Sequence, residues 1–173
     1  MSIERTPVGQ IKLANFEPDD LLCWRSDASG GRTAAADTEL YQTGTQAYRI
    51  SMPSGGQVIA KKHMSFPSWK IATGDTFSIR VYCFKAPNNW LRISLTQNLA
   101  GTGDILRRDI SVAGLVAGWN TVTWTRSQMS AFGGWANNPR ALGLQIDVFH
   151  NVSESVFFVF DDFKVTVAAE SRT

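Results

Sequence analysis

Apolar side chains recur at every second position over much of the chain. Across residues 76–85, Phe77, Ile79, Val81 and Cys83 fall on one side of an extended backbone, with Ser78, Arg80, Tyr82 and Phe84 on the other. Across 90–97, Leu91, Ile93 and Leu95 oppose Arg92, Ser94 and Thr96. Across 141–150, Leu142, Leu144, Ile146 and Val148 oppose Gly143, Gln145, Asp147 and Phe149. Successive side chains of a strand point to opposite faces, so this period predicts half-buried strands. A helix would need apolar residues three and four apart, and no long segment has them. Further strands are predicted near 14–17, 39–42, 46–52, 58–66, 105–112, 120–126 and 156–167, and one helical turn over 127–132. Turn-forming clusters such as Pro53-Ser54-Gly55-Gly56, Thr73-Gly74-Asp75 and Pro87-Asn88-Asn89 separate them.

Strands with one apolar face each must bury those faces against one another, and two antiparallel sheets stacked about 10 Å apart do so. The predicted fold is therefore all-β, a two-sheet antiparallel jelly-roll β-sandwich of about ten strands. Its predicted core holds Ile50, Phe77, Ile79, Val81, Leu91, Ile93, Leu95, Val122, Leu144, Ile146 and Val165, together with Trp24, Trp119 and Trp124. No internal repeat or linker divides the chain, so 1–173 reads as a single domain with its core over 14–167 and tails at 1–10 and 168–173.

Composition serves mainly to exclude. A net charge of +2, dispersed along the chain, argues against nucleic acid as a partner. Lys61-Lys62 and Arg107-Arg108 are neighbours on strands, so each pair points to opposite faces and makes no basic patch. No apolar run approaches the roughly 18 residues of a membrane span, so no membrane insertion is expected. The start of the chain has no apolar segment of signal-peptide type. The expected location is thus cytoplasmic, or virion or extracellular as part of a larger assembly. Cys23 and Cys83 are too few for a disulfide framework and are expected as buried, reduced thiols. Asn151-Val152-Ser153 matches a glycosylation sequon, which has meaning only with secretion.

The outward positions of the three clearest strands bring together Arg80, Tyr82, Trp90, Arg92, Gln145 and Asp147, with Phe149 beside them. Flat aromatic rings suit the C–H faces of sugars, and planar Arg, Asp and Gln groups suit paired hydroxyls. The short Pro87-Asn88-Asn89 connection predicts that strands 76–85 and 90–97 form a hairpin, which would put Tyr82 near Arg92. Trp69 and Trp135, each beside turn residues, are an alternative platform. Catalysis has little support. His63 and His150 lie in different strands without triad or metal spacing, and no second acid accompanies Asp147. Gly101-Thr102-Gly103 precedes no helix, so it is not a phosphate loop.

Four segments, in order, resemble carbohydrate-binding modules of the jelly-roll, galactose-binding-like type. Phe16-Glu17 followed by Trp24 is similar to their opening, and Gly44-Thr45-Gln46-Ala47-Tyr48-Arg49-Ile50 to an early strand. Gly118-Trp119-Asn120-Thr121-Val122 is similar to a later one, and Phe158-Val159-Phe160-Asp161-Asp162-Phe163-Lys164-Val165 to their closing strand. The resemblance spans about residues 14–167 and departs at Pro18-Asp19-Asp20, where many relatives have a glycine turn. It implies a non-catalytic module that binds a polysaccharide or cell-surface glycan, alone or beside a glycan-active domain. It also implies one structural calcium ion, held by Glu17 and Asp161 with carbonyls of the loop 43–46. Strand parity puts Asp161 on the face of Phe163, Val165 and Val167, pointing inward. Two other functions compete with glycan binding. One is a structural phage virion protein, capsid-decorating or part of a tail, with other virion proteins as partners. The other is a small hydrolase or lyase.

Overall fold

The computed structural model describes residues 9–53, 55–63, 71–84, 90–97, 105–111, 114–133, 142–150 and 154–168. Twelve strands run in chain order: β1 (Gly9–Ala14), β2 (Trp24–Ser26), β3 (Thr33–Asp37), β4 (Ala47–Met52), β5 (Gly56–His63), β6 (Thr76–Cys83), β7 (Trp90–Thr96), β8 (Ile105–Ser111), β9 (Gly118–Thr125), β10 (Ser130–Phe132), β11 (Gly143–His150) and β12 (Val156–Val167). A four-residue helix, α1 (Pro18–Leu21), follows β1, and a 3-10 turn at Arg126–Gln128 precedes β10. The described pairings are all antiparallel. The first sheet has the order β3-β4-β12-β6-β9, with β1 beside the second half of β12; the second has the order β10-β8-β7-β11-β5-β2. This is the predicted two-sheet sandwich, and the chain crosses repeatedly between its layers. No helix among the described residues is long and apolar enough to cross a membrane.

The period-two pattern built the core as expected. Ten of the eleven aliphatic and Phe positions predicted for it are at most 1 % exposed, and Val122 is partly buried against the others. Each such side chain contributes roughly 1.5–3 kcal/mol by leaving water. Phe16, Trp24 and Tyr48 close one end, with ring centroids 5.1–5.9 Å apart. Below them Lys62, on the inward parity of β5, is buried, bonding to the Leu13 carbonyl and pairing with Asp20. A lysine side chain in such a place needs both partners to offset its burial.

Several local expectations fail for identifiable reasons. No strand forms at 39–42, because the Asp37 carboxylate accepts the N–H groups of Glu39 and Leu40, each at 2.9 Å, and turns the chain there. The strand lies earlier, at β3. β1 spans 9–14 rather than 14–17, so Gly9 and Gln10 belong to the sandwich and not to a tail. Pro18, free of any N–H to lose, starts α1 instead. Within 127–132 the chain makes a 3-10 turn and then the short strand β10. Cys83 is buried, but Cys23 is exposed in the turn after α1. Trp24 and Trp124 are core residues, whereas Trp119 is only partly buried and packs edge-on against Tyr82 on the outside of the first sheet. β9 puts Val122 and Trp124 inward, and Trp119 has the opposite parity.

Candidate functional site

The outer face of the second sheet gathers the polar positions of β5, β11, β7 and β8 into cross-strand rows. Register sets Asp147 opposite Arg92 on one side and Ile59 on the other, with Asp109 next to Arg92. In the adjoining row Gln145 lies between Lys61 and Ser94, and Ser94 faces Arg107. On the other side Phe149 lies between Gln57 and Trp90. Directly opposed side chains stand about 5 Å apart, so each row is a line of contacts.

The face is recessed. Ser94, Thr96, Gln145 and Asp147 all have outward parity, yet they are only 2–8 % exposed. The Gln145 amide donates to Asp147 Oδ1 at 2.7 Å. Burial raises the Asp147 carboxyl to about 6, against the opposing pull of that bond and of the Arg92 and Lys61 charges. Arg92 reaches across to Asp109, with Nε at 2.6 Å and Nη2 at 3.4 Å, and Arg107 stands 3.7 Å from the same carboxylate. The Arg92 guanidinium also lies 4.5 Å from the Trp90 ring, which stacks on Phe149 at 5.3 Å and 12°. The result is a floor of Asp147, Gln145 and Ser94, with Trp90, Phe149, Arg92 and Lys61 partly exposed around it.

Four of the six predicted ligand residues, Trp90, Arg92, Gln145 and Asp147, therefore share one face. Arg80 and Tyr82 do not. They stand on the outside of the first sheet, where Arg80 donates to Thr121 Oγ1 at 2.6 Å and Tyr82 packs between Trp119 and Phe157. The expected hairpin does not exist: β6 pairs with β12 and β9, and β7 pairs with β11 and β8. β6 belongs to the first sheet and β7 to the second. Lys61, Arg107 and Asp109 were missed, although alternation with Ala60, Leu106 and Ile110 marks them as outward. Trp69 and Trp135 lie outside the described residues, as do the sequon and the side chains of His63 and His150.

Glu17 and Asp161 meet around the loop before β4 without touching the recessed face. Asp161, fully buried, accepts the N–H groups of Gln42 and Thr43 at 2.7 and 2.8 Å, the Thr43 hydroxyl at 3.0 Å and its neighbour's N–H at 2.7 Å. Glu17 accepts the Thr45 hydroxyl and N–H at 2.7 and 2.9 Å, and these bonds hold its carboxyl below the usual range. Gly44 has φ +70, and a Cβ there would sit 1.7 Å from Glu17 Oε1, so any other residue is strained and must displace the Glu17 carboxylate. The loop turns N–H and hydroxyl donors toward both acids. That arrangement does not fit calcium, which wants six to eight oxygen ligands. Among the described residues no group of three or more His, Cys, Asp and Glu could hold a metal ion. The inward parity expected for Asp161 also fails. A bulge between Asp161 and Lys164 leaves Asp161 in register with Arg80, while Phe160 before it and Phe163 after it both face the core.

The sequence matches no protein-family model, and no curated protein matches it in sequence. Solved structures share the fold. A family 11 carbohydrate-binding module from Clostridium thermocellum, in complex with a β-1,3-1,4-mixed-linked tetrasaccharide, matches with a TM-score of 0.68. It is 15 % identical, over 93 % of this chain and 97 % of that one. A family 30 carbohydrate-binding module of a cellulosomal cellulase of the same organism matches with a TM-score of 0.63, at 11 % identity over 91 % and 97 %. The enzymatically active domain of a tailspike protein of bacteriophage CBA120 matches with a TM-score of 0.54, at 11 % identity over 91 % of this chain and 21 % of that one.

Proposed function

We propose that this chain is a non-catalytic carbohydrate-binding module that takes a polysaccharide segment along the recessed face of its second sheet. The observation that carries this reading is the Trp90–Phe149 stack set beside Arg92 and above the buried Asp147–Gln145 pair. A sugar ring would lie against the aromatic pair, with its hydroxyls meeting Arg92 and Lys61. The floor would hold those groups in place. The cations Arg92, Arg107 and Lys61 stand among the acids Asp109, Asp147 and Asp27, so the face has no charge excess to favour a polyanion. The solved family 11 module with a bound tetrasaccharide lends the reading its ligand class.

Geometry also supports binding without turnover. Glycosidases set two carboxyl groups on either side of an open space for the scissile bond. Here Asp147 and Asp109 lie in one row with Arg92 between them and bonded to Asp109, and Asp27, whose carboxylate accepts the Ile59 N–H, stands on the other side of Asp147. A second reading, a glycan-reading module of a virion, has one observation in its favour, the fold shared with the phage tailspike domain. A glycan array tests the main reading. The wild type should bind at least one neutral polysaccharide and release no reducing ends from it, and Arg92→Ala should weaken that signal about tenfold or more. A signal unchanged in strength in Arg92→Ala, or hydrolysis that disappears in Asp147→Asn, would refute it.

A further inference from the structure

The outside of the first sheet carries a separate constellation. Trp119, Tyr82 and Phe157 project from β9, β6 and β12, and Phe84 follows the end of β6. Their rings run in sequence: Trp119 and Tyr82 at 5.5 Å, Tyr82 and Phe157 at 5.9 Å, Phe157 and Phe84 at 4.8 Å. The Arg49 guanidinium lies 3.7 Å over the Phe157 ring. Val159, on the same outward parity of β12 as Phe157, is fully buried. This cluster is not part of the main core, which occupies the other side of the sheet. Phe84 remains 53 % exposed, a large apolar ring in water. Beside it opens a pocket of about 320 Å³, with Phe84, Phe157 and Pro53 supplying apolar wall and Arg49, Ser51 and Ser155 supplying polar groups.

We propose that this pocket is a second carbohydrate-binding site, on the opposite side of the sandwich from the first. It would take one or two residues of a neutral glycan against Phe84 and Phe157. Small-ligand sites are concave and mostly apolar, with a few convergent polar groups, and this pocket has that form. Exposed flat rings suit the C–H faces of a sugar, and a guanidinium with two hydroxyls suits its oxygens. Arg49 is already paired with Asp37 at 3.2 Å. Burial alone would raise Asp37, but the N–H groups of Leu40 and Glu39 and the Arg49 guanidinium outweigh it and hold the acid ionised. Among the described residues the site thus has no unpaired charge to select an anion. The ligand class rests on the reading under Proposed function, but the location does not. Two sites facing opposite ways would let one domain bridge two glycan chains and bind a polysaccharide mesh by avidity.

Amide chemical shifts of the isotopically labelled chain test this. The probes are the mixed-linked β-1,3-1,4-glucan tetrasaccharide and soluble xylan, mannan and galactan oligosaccharides. At least one probe should move two groups of signals, one around Arg92, Gln145 and Asp147 and one around Phe84, Ser155 and Phe157. Phe84→Ala, at an exposed position, should weaken the second response at least tenfold and leave the first unchanged. Shifts confined to the first group, or a second group indifferent to Phe84→Ala, would overturn the second site alone. Shifts confined to the second group would uphold it and overturn the site on the recessed face. No shift in either group would overturn both. Signals of the second group that move with protein concentration instead of sugar would assign the patch to self-association and overturn the proposal.

Discussion

Asp161→Asn isolates the device that ties the loop before β4 to the closing strand. Asp161 is fully buried and receives four donors: the N–H groups of Gln42, Thr43 and Asp162, and the Thr43 hydroxyl. Asparagine keeps the shape but has one acceptor oxygen. If that oxygen faces the N–H groups of Gln42 and Thr43, the new NH₂ faces the Thr43 hydroxyl, which can rotate to accept. It also faces the Asp162 N–H, which cannot. One buried N–H is then orphaned, at about 1–3 kcal/mol. The bonds that remain lose their charge assistance, roughly another 1–2 kcal/mol together. The expected loss is about 2–5 kcal/mol, a large part of the stability of a domain. Urea unfolding near neutral pH, followed by tryptophan fluorescence, should show a lower midpoint with an unchanged slope. Both proteins should unfold alike in EDTA and in calcium, because donors and not a cation compensate the acid. A loss under about 0.5 kcal/mol, within the range of an ordinary surface substitution, would refute this account of Asp161. A wild type that EDTA destabilises would refute it equally and restore the calcium site.

Three further outcomes follow from particular contacts. Ile93→Ala, in the centre of β7, should cost roughly 2–5 kcal/mol in the same assay. Asp147 has a folded-state carboxyl raised to about 6, so the folded protein holds its proton longer than the unfolded chain does. Its penalty is absent at low pH, appears as pH rises from the unfolded value near 4 to about 6, and is complete above that, at about 3 kcal/mol. Stability measured against pH should therefore fall less across that window in Asp147→Asn than in the wild type. Gly44→Ala should lose roughly 2 kcal/mol, from the left-handed backbone and from displacing the Glu17 carboxylate off Thr45. In a Glu17→Ala background the same change should cost only about half as much, which a double-mutant cycle reads directly.

The sequence disclosed faces better than neighbours. Alternation assigned Ile79 and Ile93 to the core and Arg92 and Asp147 to the outside, because burial on one face imposes a period of two. The same alternation says nothing about which sheet a strand joins. Tyr82 and Arg92 were therefore placed together from a short connection, when their strands belong to different sheets. Parity also breaks at a bulge, and nothing in Asp161-Asp162 announces one. β3 was not legible because Ala34, Ala35 and Ala36 lack the β-branched or aromatic signal of a strand. Trp119 was readable: counting back from Val122 and Trp124 along β9 puts it outside. The recess was not readable, since the depth of Asp147 depends on how the whole sheet is shaped around it.

Isothermal titration of a polysaccharide that binds the wild type into Trp90→Ala tests the central claim most directly. Trp90 stacks on Phe149 and under Arg92 at the accessible edge of the recessed face, so its removal should spare the fold and remove the platform. Affinity at that site should weaken about tenfold or more, equivalent to about 1.4 kcal/mol or more, with the melting temperature nearly unchanged. A titration indistinguishable from that of the wild type would contradict the account, because the sugar would then be bound elsewhere on the sandwich.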